Sequence, residues 1–331
     1  MSDPEELEVV GVGNALVDVL SHEDDALVTK LGLERGVMTM VDHEAVERVY
    51  AAQGPTVEVS GGSAANTIAG LASFGAAAGF IGKVGPDEFG RVFAHDLEAL
   101  GVRFGATSSN GSGPTGRCHI IVTPDAERTM CTFLGVASDL QPDDVDEALV
   151  ARAQVTYLEG YLFDQPAAKH AFRQAAAVAH RSGRRVALTL SDPFCVHRHR
   201  DEFLDLVEHA VEVLFANEEE ICALYDFDDF DDALQRVRRH TDVAALTRGK
   251  RGSVVVAGDE VHVIDAVPVD RLVDTTGAGD QYAAGFLYGL THGRDLVTCG
   301  RLGSLAAAEA VGHLGPRPET SLRALAAPLL G

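Results

Sequence analysis

The run Asp274-Thr275-Thr276-Gly277-Ala278-Gly279-Asp280 carries the strongest chemical signal in the chain. It follows an apolar segment, Val261 to Val273, and leads into an apolar helical stretch from Gln281 to Leu290. Small residues at 277–279 let a backbone curl closely around a ligand, and their N–H groups converge where a helix begins. The positive end of the helix dipole favours an anion there. Asp280 falls on the first turn, beside that anion-binding nest. A carboxylate repels phosphate, so its presence needs a reason, and removal of a proton from an attacking hydroxyl supplies one. The plainer reading is a strand–turn–helix junction with an acidic first turn.

A second glycine cluster, Gly61-Gly62-Ser63-Ala64-Ala65-Asn66, follows Val57 to Ser60 and precedes an alanine-rich helix expected over 63–75. Adjacent glycines permit close backbone approach, and Asn66 both donates and accepts hydrogen bonds. A tight loop with Ser63 as N-cap fits equally well. Near the N-terminus, Gly11 and Gly13 suggest a dinucleotide fingerprint. Position 16 is Leu16 where that fingerprint needs glycine, so the assignment fails.

These motifs need a scaffold, and the hydrophobic pattern predicts one. Residues 8–13, 78–83, 155–158, 186–190, 213–215 and 243–247 read as buried strands. Helical patterns over 88–100, 166–181, 201–209, 218–225 and 229–240 alternate with them. That rhythm predicts a mostly parallel sheet covered on both faces. Residues 15–42 and 115–135 break it with β-rich segments, including a hairpin from 119–123 to 128–133 around Pro124-Asp125-Ala126-Glu127. We expect a small β lid from 15–42 and 115–135, and a large α/β unit from 1–14, 43–114 and 136–331.

The 331 residues are 46% hydrophobic and carry a formal charge of −23. That charge argues against broad binding to nucleic acid or anionic membranes, while a local positive patch could still hold a nucleotide. No stretch approaches a membrane span, and Met1 to Glu8 lacks the order of a signal peptide. Five scattered cysteines without a CxxC pair read as reduced thiols, which points to a cytoplasmic protein without disulfides or a zinc site. His197 and His199 flank Arg198 in a polar, solvated run.

Together the two glycine motifs resemble those of the ribokinase-like, phosphofructokinase B type carbohydrate kinases, over almost the whole chain. Finer features are similar to the adenosine kinase branch: Gly13 to Asp18, Thr123 to Gly135, Leu190-Ser191-Asp192-Pro193-Phe194, Asn217-Glu218-Glu219-Glu220 and Leu314-Gly315-Pro316-Arg317. The resemblance implies a three-layer α/β/α sandwich with a β lid, acting as an ATP-dependent kinase with Mg²⁺. It implies Asp280 as general base, with the backbone of Gly277, Ala278 and Gly279 as anion hole. Asp18, Gly61, Gly62 and Asn66 would hold ribose hydroxyls, with Asn14 near the nucleoside. Asn217 and Glu220 would organise magnesium through water, although an N-cap with an acidic first turn explains them too. Thr247, Arg248, Gly249 and Thr275 would line the nucleotide side. Arg128 would contact the transferring phosphate, a hairpin-surface arginine being the alternative.

A purine needs a wide apolar slot, whereas a bare sugar needs a ring of polar partners. Leu16, Met38, Met40, Cys118, Leu162 and Phe194 are apolar or weakly polar, and Phe194 could stack on a base. The acceptor implied is therefore the 5′-hydroxyl of adenosine or a related purine nucleoside. A sugar kinase acting on ribose or fructose is the first alternative, and a nucleoside-binding sensor without catalysis the second. Potassium activation is open, as is the choice between a monomer and a homodimer through the lid.

Overall fold

The computed structural model describes residues 6–108, 113–125 and 127–330. Met1 to Glu5 of the acidic opening and Ala126 in the expected hairpin turn lie outside them.

Nine strands form the larger sheet: β1 (Leu7–Val12), β5 (Ala78–Val84), β6 (Arg103–Ser108), β9 (Ala153–Glu159), β10 (Arg185–Thr189), β11 (Val213–Asn217), β12 (Val243–Thr247), β13 (Ser253–Ala257) and β14 (Glu260–Ile264). Their order is β14-β13-β12-β11-β10-β9-β1-β5-β6. From β12 to β6 every pairing is parallel, while β13 and β14 add an antiparallel edge. Each strand end must then be joined by a crossover, and helices cover both faces.

The two-residue alternation of strand side chains divides the interior into two cores. Val10, Leu158, Leu188 and Leu214 join one with the helices Pro166–Arg181 and Arg200–Ala210. Val9, Val155, Tyr157 and Phe215 join the other with the helices Ser63–Phe74, Ala278–Thr291 and Leu296–Ala310. On this second face the packing is close enough that a Cβ on Gly70 would lie 2.2 Å from Gln281 Oε1 and 2.7 Å from Ala284 Cβ. The helices of the two glycine motifs are thereby held side by side.

The segment before the catalytic-type run differs from expectation. Only Val261 to Ile264 is strand, and 265–277 is irregular, with Val267, Val269 and Leu272 exposed. Pro268 has no N–H to give a ladder, and it restricts Val267 before it.

The second sheet has the order β3-β8-β7-β2-β4, with β2 (Leu16–His22), β3 (Met38–Met40), β4 (Val57–Gly61), β7 (Gly116–Val122) and β8 (Arg128–Phe133). It takes in β4, which the expected division left with the larger unit, because β4 pairs antiparallel with β2 from Leu16↔Gly61 to Leu20↔Val57. The helix His43–Ala52 also packs on this sheet, with Val49 in a core shared with Ile121 and Cys131. A short β4 flanked by two helices gives little period-two signal by which sequence could assign it to either sheet.

Candidate active site

One cavity of about 800 Å³ lies between the second sheet and the C-terminal ends of β9 to β12. Open α/β sheets bind ligands at such strand ends. Its floor is made by Asn14, Gly62, Ser63, Asn66, Glu159 and Asp280, and its roof by Leu16, Asp18, Met38, Met40, Cys118, Ile120 and Met130 of the second sheet, with Leu134. Thr189, Ser191, Asp192, Asn217, Glu220 and Thr247 line the side along the strand ends, with Gly277 and Gly279 beside Asp280.

The helix Ala278–Thr291 opens on Gly277, whose φ of +76° is left-handed and whose Cβ would lie 2.4 Å from Pro316 Cβ. Both facts require glycine there. Asp280 on the first turn receives two hydrogen bonds: Ser63 Oγ donates to Oδ1 at 2.6 Å, and Asn66 Nδ2 donates to Oδ2 at 3.2 Å. Burial pushes its carboxyl up to about 6, and these two donors pull in the opposite direction. Gly279 faces open space, leaving room for a ligand against the backbone. Ala278 does not line the cavity, and its N–H is taken by the Thr275 carbonyl at 3.2 Å. Of residues 277–279, Gly277 and Gly279 therefore reach the cavity, as do Thr276 and Asp280 on either side.

The loop before this helix is tied to the second sheet. Arg128 on β8 is buried and forms an ion pair with Asp274, and its Nη1 donates to Thr276 Oγ at 3.2 Å. Asp274 also accepts from the N–H groups of Thr276 and Gly315, both at 3.0 Å. Burial raises the Asp274 carboxyl, but these donors and Arg128 outweigh it and hold the group below its ordinary range. Arg128 is neither solvent-exposed nor part of the cavity wall. It is a buried tie between the two sheets' structures, with Nε and Nη2 lacking protein partners.

Asp18, on β2, is pushed up to about 6 by burial, with Arg317 and Arg128 opposing and Asp280 adding to the rise. Gly61 lies against it rather than in the wall: a Cβ there would come 2.5 Å from the Asp18 carboxylate. Asn14 is held by Glu159, whose Oε1 accepts from Asn14 Nδ2 at 2.8 Å and from Asn14 N at 3.3 Å. Glu159 Oε2 accepts from Ala64 N at 2.8 Å. Burial pushes Glu159 up to about 7 against these donors. The glycine at 13, which suggested a dinucleotide site, has a different reason: its Cβ would stand 2.5 Å from Glu159 Oε2.

Sequence reasoning did not find Glu159 or the bond from Ser63 to Asp280. An acidic residue at a strand end was the only available sign of the first. Leu162, expected beside a base, is instead 1% exposed in the core, because the 3₁₀ turn Gly160–Asp164 rotates Tyr161 toward the cavity and Leu162 away. Phe194 stands at the rim and is 72% exposed.

On the strand-end side, Asn217 caps the helix Glu218–Tyr225. It forms a reciprocal capping box with Glu220: Glu220 N donates to Asn217 Oδ1 at 2.8 Å and Asn217 N to Glu220 Oε2 at 2.9 Å. The Glu220 carboxyl is pushed up to about 7 by burial, with Asp192, Glu219 and Asp280 adding to it. Thr247 lines the cavity, whereas Arg248 turns away to Glu218 at 3.3 Å and lies 4.2 Å over the Phe230 ring. Gly249 begins a 3₁₀ turn and Thr275 lies behind the wall. Ser191 has a left-handed φ of +69°, rare for a side-chain-bearing residue. Among the described residues, no group of three His, Cys, Asp or Glu side chains forms a metal cage, and no helix is long and apolar enough to cross a membrane. The five cysteines are free thiols.

A helix N-terminus beside a buried carboxylate, set in an α/β sheet beneath a second sheet, is the equipment of an ATP-dependent phosphotransferase. Residues 37–322 match the model of the pfkB family carbohydrate kinases, and the chain belongs to that family. It is 48% identical to the adenosine kinase of Sinorhizobium meliloti, with a TM-score of 0.89 over 97% of this chain and 98% of that one. It is 45% identical to a probable sugar kinase protein from Rhizobium etli, with a TM-score of 0.90 over 98% and 100%. Adenosine kinase of Saccharomyces cerevisiae is 30% identical over 93% of this chain and 96% of its own. The fold is ribokinase-like, as the sequence motifs implied.

Proposed function

We propose that this chain transfers the γ-phosphoryl group of ATP to the 5′-hydroxyl of adenosine or a related purine nucleoside. The observation that supports this reading is the roof of the cavity. Leu16, Cys118, Ile120 and Met130 from three adjacent strands of the second sheet, with Met38 and Met40, form an apolar slab opposite a polar floor. A flat base suits that slab, and a ribose suits Asp18 of the same sheet together with Asn14 and Asn66 of the floor.

In this reading Asp280 accepts the proton of the acceptor hydroxyl. The oxygen forms a bond to the γ-phosphorus as the bond to the β–γ bridging oxygen breaks, and ADP leaves. Gly277 and Gly279 present backbone and the helix terminus to the phosphoryl group. Asp18 orients ribose hydroxyls, and the second sheet excludes water. Positioning accounts for most of the acceleration, since the protein takes part in little covalent chemistry.

The donor set fits a magnesium ion that arrives with ATP. Mg²⁺ prefers one or two carboxylates plus phosphates and water to an all-protein cage. Glu220 with Asp192 and Asp280 leaves negative charge at the cavity that a cation would relieve. Asn217 and Glu220 would hold it through water, and it would neutralise charge on the transferring group.

A sugar acceptor is the second reading, because the buried Asp18 suits the vicinal hydroxyls of a free sugar as well as those of a ribose. Coupled ADP release with MgATP against adenosine, inosine, guanosine, ribose and fructose separates the two. Turnover confined to nucleosides supports the proposal, and preference for a sugar overturns it. Repeating the assay with and without K⁺ reads the open question of activation.

A further inference from the structure

We propose that Ser63 is a positioning residue for the base, its hydroxyl holding the Asp280 carboxylate ionised and turned toward the acceptor. The inference rests on Asp280 being that base. Ser63 begins the helix Ser63–Phe74, and the residue before it, Gly62, is the N-cap, with a φ of +99°. A serine at a helix start commonly bonds backbone N–H groups. Here the N-cap is a glycine without a side chain to cap the helix, and the Ser63 hydroxyl donates to Asp280 Oδ1 at 2.6 Å across 217 residues of sequence.

The surroundings keep the hydroxyl in place. Glu159 Oε2 accepts from Ala64 N at 2.8 Å, which anchors the residue next to Ser63. Gln281 Nε2, one position beyond Asp280, donates to Asn66 O at 3.0 Å and to Pro316 O at 2.9 Å. The Gln281–Asn66 bond thus fastens the two helix starts together beside the Ser63–Asp280 bond, and Glu159 anchors the first of them to β9. Asn66 restrains the other carboxylate oxygen at a longer 3.2 Å.

Among the described residues, no cationic side chain bonds Asp280 directly. Asp18 on β2, Glu159 on β9 and Glu220 beyond β11 bring like charge, and Tyr157 and Tyr161 complete the titratable neighbours. Arg317 and Arg128 act on Asp18, and Arg317 Nε reaches Asn66 Oδ1 at 3.5 Å. Against burial and these carboxylates, Ser63 and Asn66 are the donors that favour the ionised base. A hydrogen bond to the charged form lowers a carboxyl pKa, so its loss should move Asp280 upward by about one pH unit or more.

The test is the pH profile of kcat, from pH 5 to 9, with adenosine and MgATP, for the wild type, Ser63→Ala, Ser63→Thr and Asp280→Asn. The sugar that the acceptor panel favours replaces adenosine if that panel selects one. Ser63→Ala should shift the acid limb upward, losing about fivefold or more at pH 6 and recovering most turnover by pH 9. Ser63→Thr, which keeps the hydroxyl, should restore the limb, and the acceptor KM should change little in either variant. An unmoved limb, or a loss of equal size at every pH, overturns the role of Ser63. Near-wild-type turnover by Asp280→Asn would instead overturn the base itself. Should Ser63→Ala fail to fold, Ser63→Cys, nearly isosteric with a weak donor, is read for the same shift.

Discussion

The floor beneath the second sheet is assembled from bonds between residues 145, 214 and 217 positions apart: Asn14 with Glu159, Asn66 with Asp280, and Ser63 with Asp280. The strand-end side is assembled from neighbours. Asn217 and Glu220 satisfy one another three residues apart, and Asp192 accepts from Phe194 N at 2.7 Å and Cys195 N at 3.0 Å. The two sides also differ in the origin of the donors that hold their buried carboxylates. Asp280 and Glu159 are held by residues far away in the chain, while Glu220 is held by Asn217 three residues away, with Asp192, Glu219 and Asp280 adding like charge. One side is organised by long-range packing, and the other by local capping.

The sharpest way to break that comparison is Asp280→Asn. It should lower kcat by about 10²–10⁴ with little change in acceptor affinity, measured by steady-state kinetics and by nucleoside titration. Retained turnover would show that the floor's organisation serves binding alone.

Next in size is Arg128→Met. It removes one partner of a buried ion pair and leaves Asp274 uncompensated, so chemical denaturation should show a loss of about 3–5 kcal/mol. A loss below about 1 kcal/mol would mean that the second sheet and the 274–277 loop are not energetically tied.

Glu220→Gln separates the two sides by pH. The raised folded value of about 7 means that folded protein binds this proton more readily than unfolded chain. Glu220 therefore contributes stability that is fully present below its unfolded value, near 4.5, and is lost as pH rises through about 7. A glutamine can keep the capping box and does not titrate. Ligand-free Glu220→Gln should gain about 2 kcal/mol on the wild type between pH 5 and 8, and MgATP should shrink the difference. A pH-independent difference would remove the charge imbalance from that side.

The smallest effect expected is from Phe194→Ala. The exposed ring stands to lose about 1 kcal/mol of stacking with a base, raising the nucleoside KM several-fold while the ATP KM stays put. Equal changes in both would place Phe194 outside the acceptor side.

Sequence legibility follows the same division. The strand-end side could be read because its signals are local, the capping pair Asn217 and Glu220 and the strand ends before them; on the floor, only the run from Gly277 to Asp280 at a helix start was equally local. Periodicity placed most elements, from Ser63–Phe74 to Val243–Thr247, near their observed bounds. The strand Val57–Gly61 carries nothing local that tells to which sheet it belongs. Leu162 and Tyr161 are adjacent, and only the pitch of one 3₁₀ turn decided which faced the cavity.

By itself the chain's sequence determined an alternating α/β scaffold and the kinase family, and it singled out the carboxylate proposed as base, because those depend on residue type and short spacing. Tertiary structure alone decided that Ser63 and Asn66 meet Asp280, that Glu159 secures Asn14, and that Arg128 is buried against Asp274. Those partners are brought together by packing between elements far apart in the chain, and no local propensity encodes such a meeting.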